Sequence, residues 1–362
     1  MTDPNESRDF VLLMSMARLN ETRMLALLER FKTPQGILQS PPALCAEVVG
    51  EEIARSIASL KTDNEILEKY KTLEQLDIRA VPYYADDYPQ WLKAVDYFPP
   101  VLFVRGNILP DDAVAVAIIG TRGATVYGKN IAETFARDFA GSGVSVVSGM
   151  ARGIDTAAHW GALRAKGRTI AVLGCGLDTV YPPENRDLMA EIIKHGAVIS
   201  EFNIGTPPLA QNFPKRNRII SGLSKGIVAI EAKEKSGVMN TVSWALDQNK
   251  DVFAIPGNIY AKTSQGTNRL IKDGATPVTS ADEVMEALGI KYTRQEREIR
   301  EVELAPDEKN VWDALSCDPV ILDELSDQLR ISTPQLLGVL LRLEIKGLIK
   351  QLPGMSFVRK FE

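Results

Sequence analysis

Cysteine and histidine are scarce in this chain. Three cysteines (Cys45, Cys175, Cys317) lie far apart with no CxxC spacing, and there are two histidines, His159 and His195. A zinc cluster and a disulfide framework are thereby excluded, and a reducing compartment is expected. Long apolar runs are also missing. None approaches the about 20 residues that a membrane span needs, so no membrane span is expected. The first residues, Met1 to Asp9, hold no basic segment followed by an apolar core. No signal peptide is expected, and the location read from this is cytoplasmic. A net basic charge is absent as well, since the chain carries −5 at neutral pH. The whole protein is therefore not a basic coat for nucleic acid, and any polyanion must bind locally. What remains is 362 residues, 45% hydrophobic and 25% charged, the composition of a soluble globular protein of two or three domains.

The local exception to the acidic balance is Gln211 to Leu223. Lys215, Arg216 and Arg218 fall within four residues, with Asn217 among them and Phe213 beside them. They sit in an acid-free run from Phe202 to Ile230, flanked by Glu201 and Glu231. A positive field without neighbouring acids suits a polyanion. The apolar residues Ile219, Ile220 and Leu223 follow at once, so these cations are expected to be held by something packed. The alternative is a solvated loop entering a helix, the usual fate of a charge run.

Along the chain, residues 1–75 read as short helices. Phe10, Leu13, Met14 and Ala17 recur at helical spacing, as do Met24, Leu25, Leu27, Leu28 and Phe31. Such helices with tight turns resemble a sterile-alpha-motif or helix-hairpin-helix module. The turn Arg18-Leu19-Asn20-Glu21-Thr22 lacks the Gly-x-Gly of a DNA-binding hairpin and carries an acid, which favours a scaffold or protein-contact role. The aromatic and proline-rich residues 76–110 read as a connector whose rings cap a core.

From there short apolar runs alternate with helical patterns. Strands are expected at 113–119, 144–147, 169–173, 198–199, 226–230 and 251–255, which makes residues 76–290 a doubly wound α/β unit. Residues 291–308 read as a charged linker. Residues 309–362 read as three helices and a hairpin, a winged helix, with Ser332 capping the third helix. From Lys291 onward 11 Lys and Arg stand against 13 Asp and Glu. That is a poor phosphate footprint, and it favours a partner-binding or regulatory wing over a reader of sequence.

Ligands of doubly wound sheets sit at the carboxyl ends of strands. Gly120-Thr121-Arg122 falls there, at a helix N-terminus where backbone N–H groups and the helix dipole favour an anion. Arg152 and Asp155 follow the second strand, where Arg152 either touches ligand or braces its own loop. His159 reads as a satisfied structural histidine. Arg186, after Tyr181, is a further cation near a strand end, with a plain surface role as the alternative. Glu231 ends the fifth strand. Nothing near it completes a catalytic set, so a structural cap at the sheet edge is expected.

Taken in order, Gly120-Thr-Arg122, Ser148-Gly-x-Ala-Arg-Gly-Ile-Asp155, Tyr181-Pro, Phe213-Pro-x-Arg-Asn-Arg-Ile-Ile220, Glu231-Ala232, Ser236-Gly237 and Val252-Phe-Ala-x-Pro-Gly257 resemble the DNA-processing protein A family (DprA, also called Smf) over about residues 80–290. The resemblance implies an extended Rossmann-like fold flanked by the helical module and the winged helix. It implies a dimeric, non-enzymatic protein without cofactors. Such a protein binds single-stranded DNA, protects incoming strands and loads the RecA recombinase onto them during natural transformation. On this sequence the implied DNA contacts are Gly120, Thr121, Arg122, Arg152, Arg186, Phe213, Lys215, Arg216, Asn217 and Arg218. One departure is local: after Ser236-Gly237 the family usually continues Ser-Leu-x-Thr-Ala, and here Val238-Met239-Asn240-Thr241-Val242 stands instead.

Two rival readings are weighed against this one. A nucleotide-processing enzyme of similar fold would carry a Pro-Gly-Gly-x-Gly-Thr run, which this chain lacks. A transcription regulator would read duplex DNA with the winged helix, which the acidic balance there disfavours.

Overall fold

The computed structural model describes residues 4–16, 19–60, 64–291, 304–316 and 319–359. Arg18, Cys317 and most of the expected charged linker (292–303) lie outside the described residues.

The chain opens with helices α1 (Pro4–Met14), α2 (Glu21–Phe31), α3 (Pro34–Gln39), α4 (Pro42–Val49), α5 (Glu51–Ala58) and α6 (Asn64–Gln75). Asn20 takes the place of the glycine turn and caps α2, accepting a hydrogen bond from the Arg23 N–H at 3.0 Å. The next residues are not a connector. They form β1 (Arg79–Pro82) and β2 (Val101–Gly106), an antiparallel pair that joins the main sheet through β6. Their aromatics do cap a core: Tyr88 is buried and donates to the Pro99 carbonyl at 2.7 Å. Trp91 donates to the Leu223 carbonyl at 3.2 Å.

The remaining units alternate: β3 (Ala115–Gly120), α7 (Val126–Gly141), β4 (Ser145–Ser148), α8 (Ile154–Arg164), β5 (Thr169–Leu173), α9 (Arg186–His195), β6 (Ala197–Ser200), α10 (Asn212–Gly222), β7 (Gly226–Ile230), α11 (Gly237–Asp247), β8 (Asp251–Ala254), α12 (Gln265–Lys272), β9 (Thr276–Pro277) and α13 (Ala281–Ala287). The sheet order is β1-β2-β6-β5-β4-β3-β7-β8-β9, parallel from β6 through β9. This is a Rossmann-like mixed sheet. All six expected strands are present within a residue or two. The sequence reading missed β1 and β2, whose runs are broken by prolines and aromatics, and β9, which is two residues long.

Both faces are covered, which is why the central strands β3 and β7 are apolar at every position. In β3, Val116 and Ile118 face α7 and α8, while Ala115, Ala117 and Ile119 face the α10 and α11 side. Phe10, Leu13, Leu27 and Leu28 of the N-terminal helices share a core with Ala80, Phe103, Ala171 and Val198 of the sheet. Burying a side chain of this size is worth about 2 kcal/mol. Asn203 also donates to the Val11 carbonyl at 2.9 Å. The helical module is therefore docked on the sheet.

The C-terminal unit comprises α14 (Pro306–Ala314), β10 (Val320–Ile321), α15 (Leu322–Leu329), α16 (Thr333–Ile345), β11 (Ile349–Leu352) and β12 (Ser356–Arg359), with sheet order β10-β12-β11. It is a winged helix. Ser332 occupies the N-cap of α16, but its hydroxyl donates to the Gln335 side chain at 2.8 Å and accepts no backbone N–H. No described helix is long and apolar enough to cross a membrane.

Candidate functional site

From β3 the chain winds outward through β4, β5 and β6, and from β7 it winds the other way through β8 and β9. The point between β3 and β7 is thus a topological switch, where the strand-end loops splay apart and leave a crevice. A cleft of about 610 Å³ opens there, lined by Gly120 to Gly123, Asp155, Tyr181, Phe213, Arg216 and Asn217, and on its far side by Lys233 and the start of α11.

Gly120 ends β3 because nothing larger fits. An added Cβ would lie 2.0 Å from the Ile230 carbonyl oxygen and 2.4 Å from the Ile154 side chain. Thr121 is buried, and its N–H donates to the Glu231 carbonyl at 2.8 Å. These bonds project Arg122 outward. Its exposed guanidinium lies 5.2 Å from the centre of the Phe213 ring. Tyr181 packs on Phe213 at 5.5 Å between centroids, and Arg216 lies 5.9 Å from the same ring. The half-buried ring is therefore gathered with two guanidinium groups and a second aromatic at the mouth of the cleft.

The helix N-terminus behind Arg122 is not the open anion site that its sequence suggests. Glu231 fills it. The Glu231 carboxylate accepts from the Thr125 N–H at 2.8 Å and from the Thr125 hydroxyl at 2.5 Å. The anion favoured by the α7 dipole is the protein's own. Nor does Glu231 cap a sheet edge, because β7 lies inside the sheet between β3 and β8. It caps a helix.

The basic triplet divides in three. Lys215 is exposed at its tip and ion-pairs with Glu21 of α2. Arg216 is 4% exposed, donates to the Gly149 carbonyl at 2.9 Å and also hydrogen-bonds the Val172 carbonyl. Arg218 is 3% exposed. It grips Glu201 with two bonds of 2.6 Å and donates to the Tyr97 carbonyl at 2.8 Å. The expectation that all three cations form an unneutralised field is corrected: Glu21, Glu201 and Asp155, remote from the triplet, supply the counter-charges. Arg218 and Arg216 are spent on the fold, because a buried guanidinium must be paired and fully hydrogen-bonded.

Beneath the cleft, Gly149 separates Arg216 from Asp155. A Cβ on it would come within 2.6 Å of the Arg216 Nη2 and 2.8 Å of the Asp155 Oδ2. Burial pushes the Asp155 carboxyl up to about 6, with Arg216 opposing the shift. Burial likewise brings Arg216 down to about 10, with Asp155 opposing. Asp155 also accepts the Ala151 N–H at 3.2 Å. Arg152 therefore finds a different partner, Glu184, with Nη2 to Oε2 at 3.1 Å on an exposed surface. Arg186 is exposed at the start of α9 and does not line the cleft.

Asn217 is half-buried in the cleft wall and donates to the Asn240 side chain at 3.2 Å. His159 is buried with Nδ1 2.7 Å from the Thr169 hydroxyl, which itself donates to the Val146 carbonyl. Nδ1 must therefore carry the proton. Nε2 is left buried without a partner among the described residues, so this histidine is structural but only half satisfied.

Sequence reasoning thus assembles Gly120, Thr121, Arg122, Phe213, Arg216 and Asn217 in one cleft, and leaves Arg152, Arg186, Lys215 and Arg218 outside its lining. It passed over Lys233 and Thr241. The signal available for them was the position of Lys233 just after a strand end, beside Ser236-Gly237.

In the winged helix, two cations stand near the end of α16, Arg342 in its last turn and Lys346 at its C-cap. Glu308 receives both, at 3.2 and 2.6 Å. The outward side chains of α16 include Leu337, Leu341 and Ile345.

Residues 79–289 match the family model described as DNA recombination-mediator protein A, and residues 295–355 match the DprA winged helix domain. The chain is 38% identical over 299 residues to Protein Smf of Escherichia coli (strain K12), covering 79% of each. It superposes on the crystal structure of DNA processing protein A from Streptococcus pneumoniae with a TM-score of 0.68 and 32% identity, over 77% of this chain and 97% of that one. A structure of DNA processing protein A from Helicobacter pylori, solved for its single-stranded DNA binding mode, matches with a TM-score of 0.54 and 30% identity, over 60% of this chain and 98% of that one.

Proposed function

The chain belongs to the DNA recombination-mediator protein A family, and from that membership we propose that it binds single-stranded DNA at the mouth of the cleft between β3 and β7. It protects incoming strands and loads the RecA recombinase onto them during natural transformation, as a cytoplasmic homodimer without a catalytic step. One observation carries the reading: the Phe213 ring is held beside the exposed Arg122 guanidinium and the Tyr181 ring. A single strand needs a π-face for its bases and cations for its phosphates, and needs no particular base sequence to use them. The relative from Helicobacter pylori binds single strands, which supports the same ligand here.

The residues divide by role. Arg122 and Lys215 meet phosphates, with Arg152 and Arg186 on the approaches. Phe213 stacks a base, and Asn217 offers its amide to the strand. Gly120 and Thr121 shape the loop. Arg216 and Arg218 hold the site up from below. Two observations weigh against the rival readings. Glu231, the strand-end carboxylate that a catalytic role would need, has both oxygens on Thr125. Arg342 of α16 and Lys346 at its C-cap are held by Glu308, which leaves the winged helix a poor surface for duplex phosphates.

The test is binding of a labelled strand of about 20 nucleotides and of its duplex across a salt series, for wild type, Arg122→Ala and Lys215→Ala. Strong preference for the single strand, a steep salt slope, and weakening by both substitutions are expected. Equal binding to duplex, untouched by either substitution, overturns the site. RecA loading is read separately, as RecA filament assembly on strands precoated with a single-strand binding protein. It is expected to accelerate with this protein present.

A further inference from the structure

Beyond the cleft, the first turn of α10 leads to an exposed aromatic, Tyr97. Tyr97 is 67% exposed, and among the described residues neither its ring nor its hydroxyl has a partner. Its backbone is left-handed, with φ +58°, a conformation that a bulky residue adopts only when its surroundings impose it. Arg218 holds its carbonyl. One guanidinium donates to the Tyr97 carbonyl at 2.8 Å and to the Lys215 carbonyl at 2.9 Å, while both its Nη atoms grip Glu201. Tyr97 is thereby tied to the helical turn that carries Phe213 and Lys215. Pro99 and Pro100, just after it, line a hollow of about 300 Å³ together with Lys215 and Phe202. Phe213 and Pro214 line the first cleft and Lys215 the second, so this turn of α10 is the ridge between the two.

A ring, a cation and a second ring are thus carried on one turn of α10 and on the loop tied to it: Phe213, Lys215 and Tyr97. That is the alternation a single strand presents, with phosphates between bases that have free π-faces. We propose that Tyr97 is a second nucleobase-stacking platform on the path of the strand, and that the buried Arg218 is its positioning residue. The proposal rests on the single-stranded DNA reading above. It explains why a fully buried ion pair is spent on the backbone of an exposed loop, and why an aromatic stands unpacked at a strained position.

The experiment compares oligothymidylates of about 6 and about 20 nucleotides, lengths that bracket what one and two stacking subsites with their flanks can hold. Full-length wild type, Tyr97→Ala, Tyr97→Phe and Arg122→Ala are titrated by fluorescence anisotropy. Tyr97→Ala is expected to weaken the long strand about fivefold or more, to leave the short strand unchanged, and to leave the salt slope unchanged. Tyr97→Phe is expected to bind as wild type. Tyr97→Gly, which suits a left-handed backbone, keeps the test open should the alanine variant fold poorly. In Tyr97→Trp, indole emission is expected to be quenched by the long strand. Wild-type affinity of Tyr97→Ala and Tyr97→Gly for the long strand, with Arg122→Ala still impaired, overturns the Tyr97 subsite and leaves the cleft intact. Loss of both strands' binding from wild type itself, or no effect of Arg122→Ala on either, overturns the cleft and this subsite with it.

Discussion

Arg218 and Glu201 face each other as a two-toothed ion pair, Nη1 to Oε1 and Nη2 to Oε2 both at 2.6 Å, with the residues 3% and 6% exposed. The pair joins the second turn of α10 to the loop after β6 and, through the Tyr97 carbonyl, to the loop before β2. Removing one partner leaves an uncompensated buried charge. Glu201→Gln is expected to lower the unfolding free energy by about 3–5 kcal/mol, measured by urea denaturation. The double variant Glu201→Gln/Arg218→Ala is expected to lose less than the two singles combined, since both remove the same pair.

Phe213 is expected to contribute stacking without charge. Phe213→Ala should weaken single-strand binding by about 1–3 kcal/mol while the dependence of affinity on salt keeps its slope. Anisotropy titrations at several salt concentrations separate the two quantities. A flatter slope would mean that the substitution had displaced Arg122 as well.

Lys215 is engaged by Glu21 of the docked helical module. A phosphate must compete with that carboxylate. Glu21→Gln is expected to tighten single-strand binding at low salt and to steepen the salt slope by about one counterion. The same titration on Lys215→Ala should show the opposite changes.

Two buried groups beneath the cleft titrate in opposition. Burial raises Asp155 from the usual 3.8 to about 6, so its contribution to stability is full below 3.8 and is lost as pH rises through 6. Burial lowers His159 from 6.5 to about 3, with Arg216 adding to the shift, so its contribution is full above 6.5 and is lost as pH falls toward 3. Between these limits the folded state gains a proton on one group and refuses it on the other, and the two slopes cancel. Asp155→Asn removes the first. Its stability is then expected to fall by about 1.4 kcal/mol per pH unit below pH 6, against a flatter wild type, in urea midpoints measured across that range.

The parallel strands were legible because each is a short apolar run closed by glycine or a polar turn, a pattern that burial on both faces imposes. The ordered motifs were legible because they mark the strand ends where a doubly wound sheet must place its loops. β1 and β2 were not. Tyr83, Tyr84, Pro82 and Pro100 break their periodicity, and their stability comes from β6, far along the chain. Glu231 was misplaced for a related reason. From sequence it ends a strand, and only the crossing of β7 beside β3 brings it under Thr125.

The sequence by itself determined the Rossmann-like sheet, the winged helix, the family, and the gathering of Arg122 and Phe213 at one set of strand ends. These follow from local periodicity and from the short-range rules of turns. The tertiary structure alone decided which cations remain for a ligand. Lys215, Arg216 and Arg218 look alike in a row, but successive positions on a helix point in different directions. One meets Glu21, one lies in the core beside Asp155, and one meets Glu201. A charge is neutralised by whatever lies within a few ångströms of it, and that distance is set by how the elements pack.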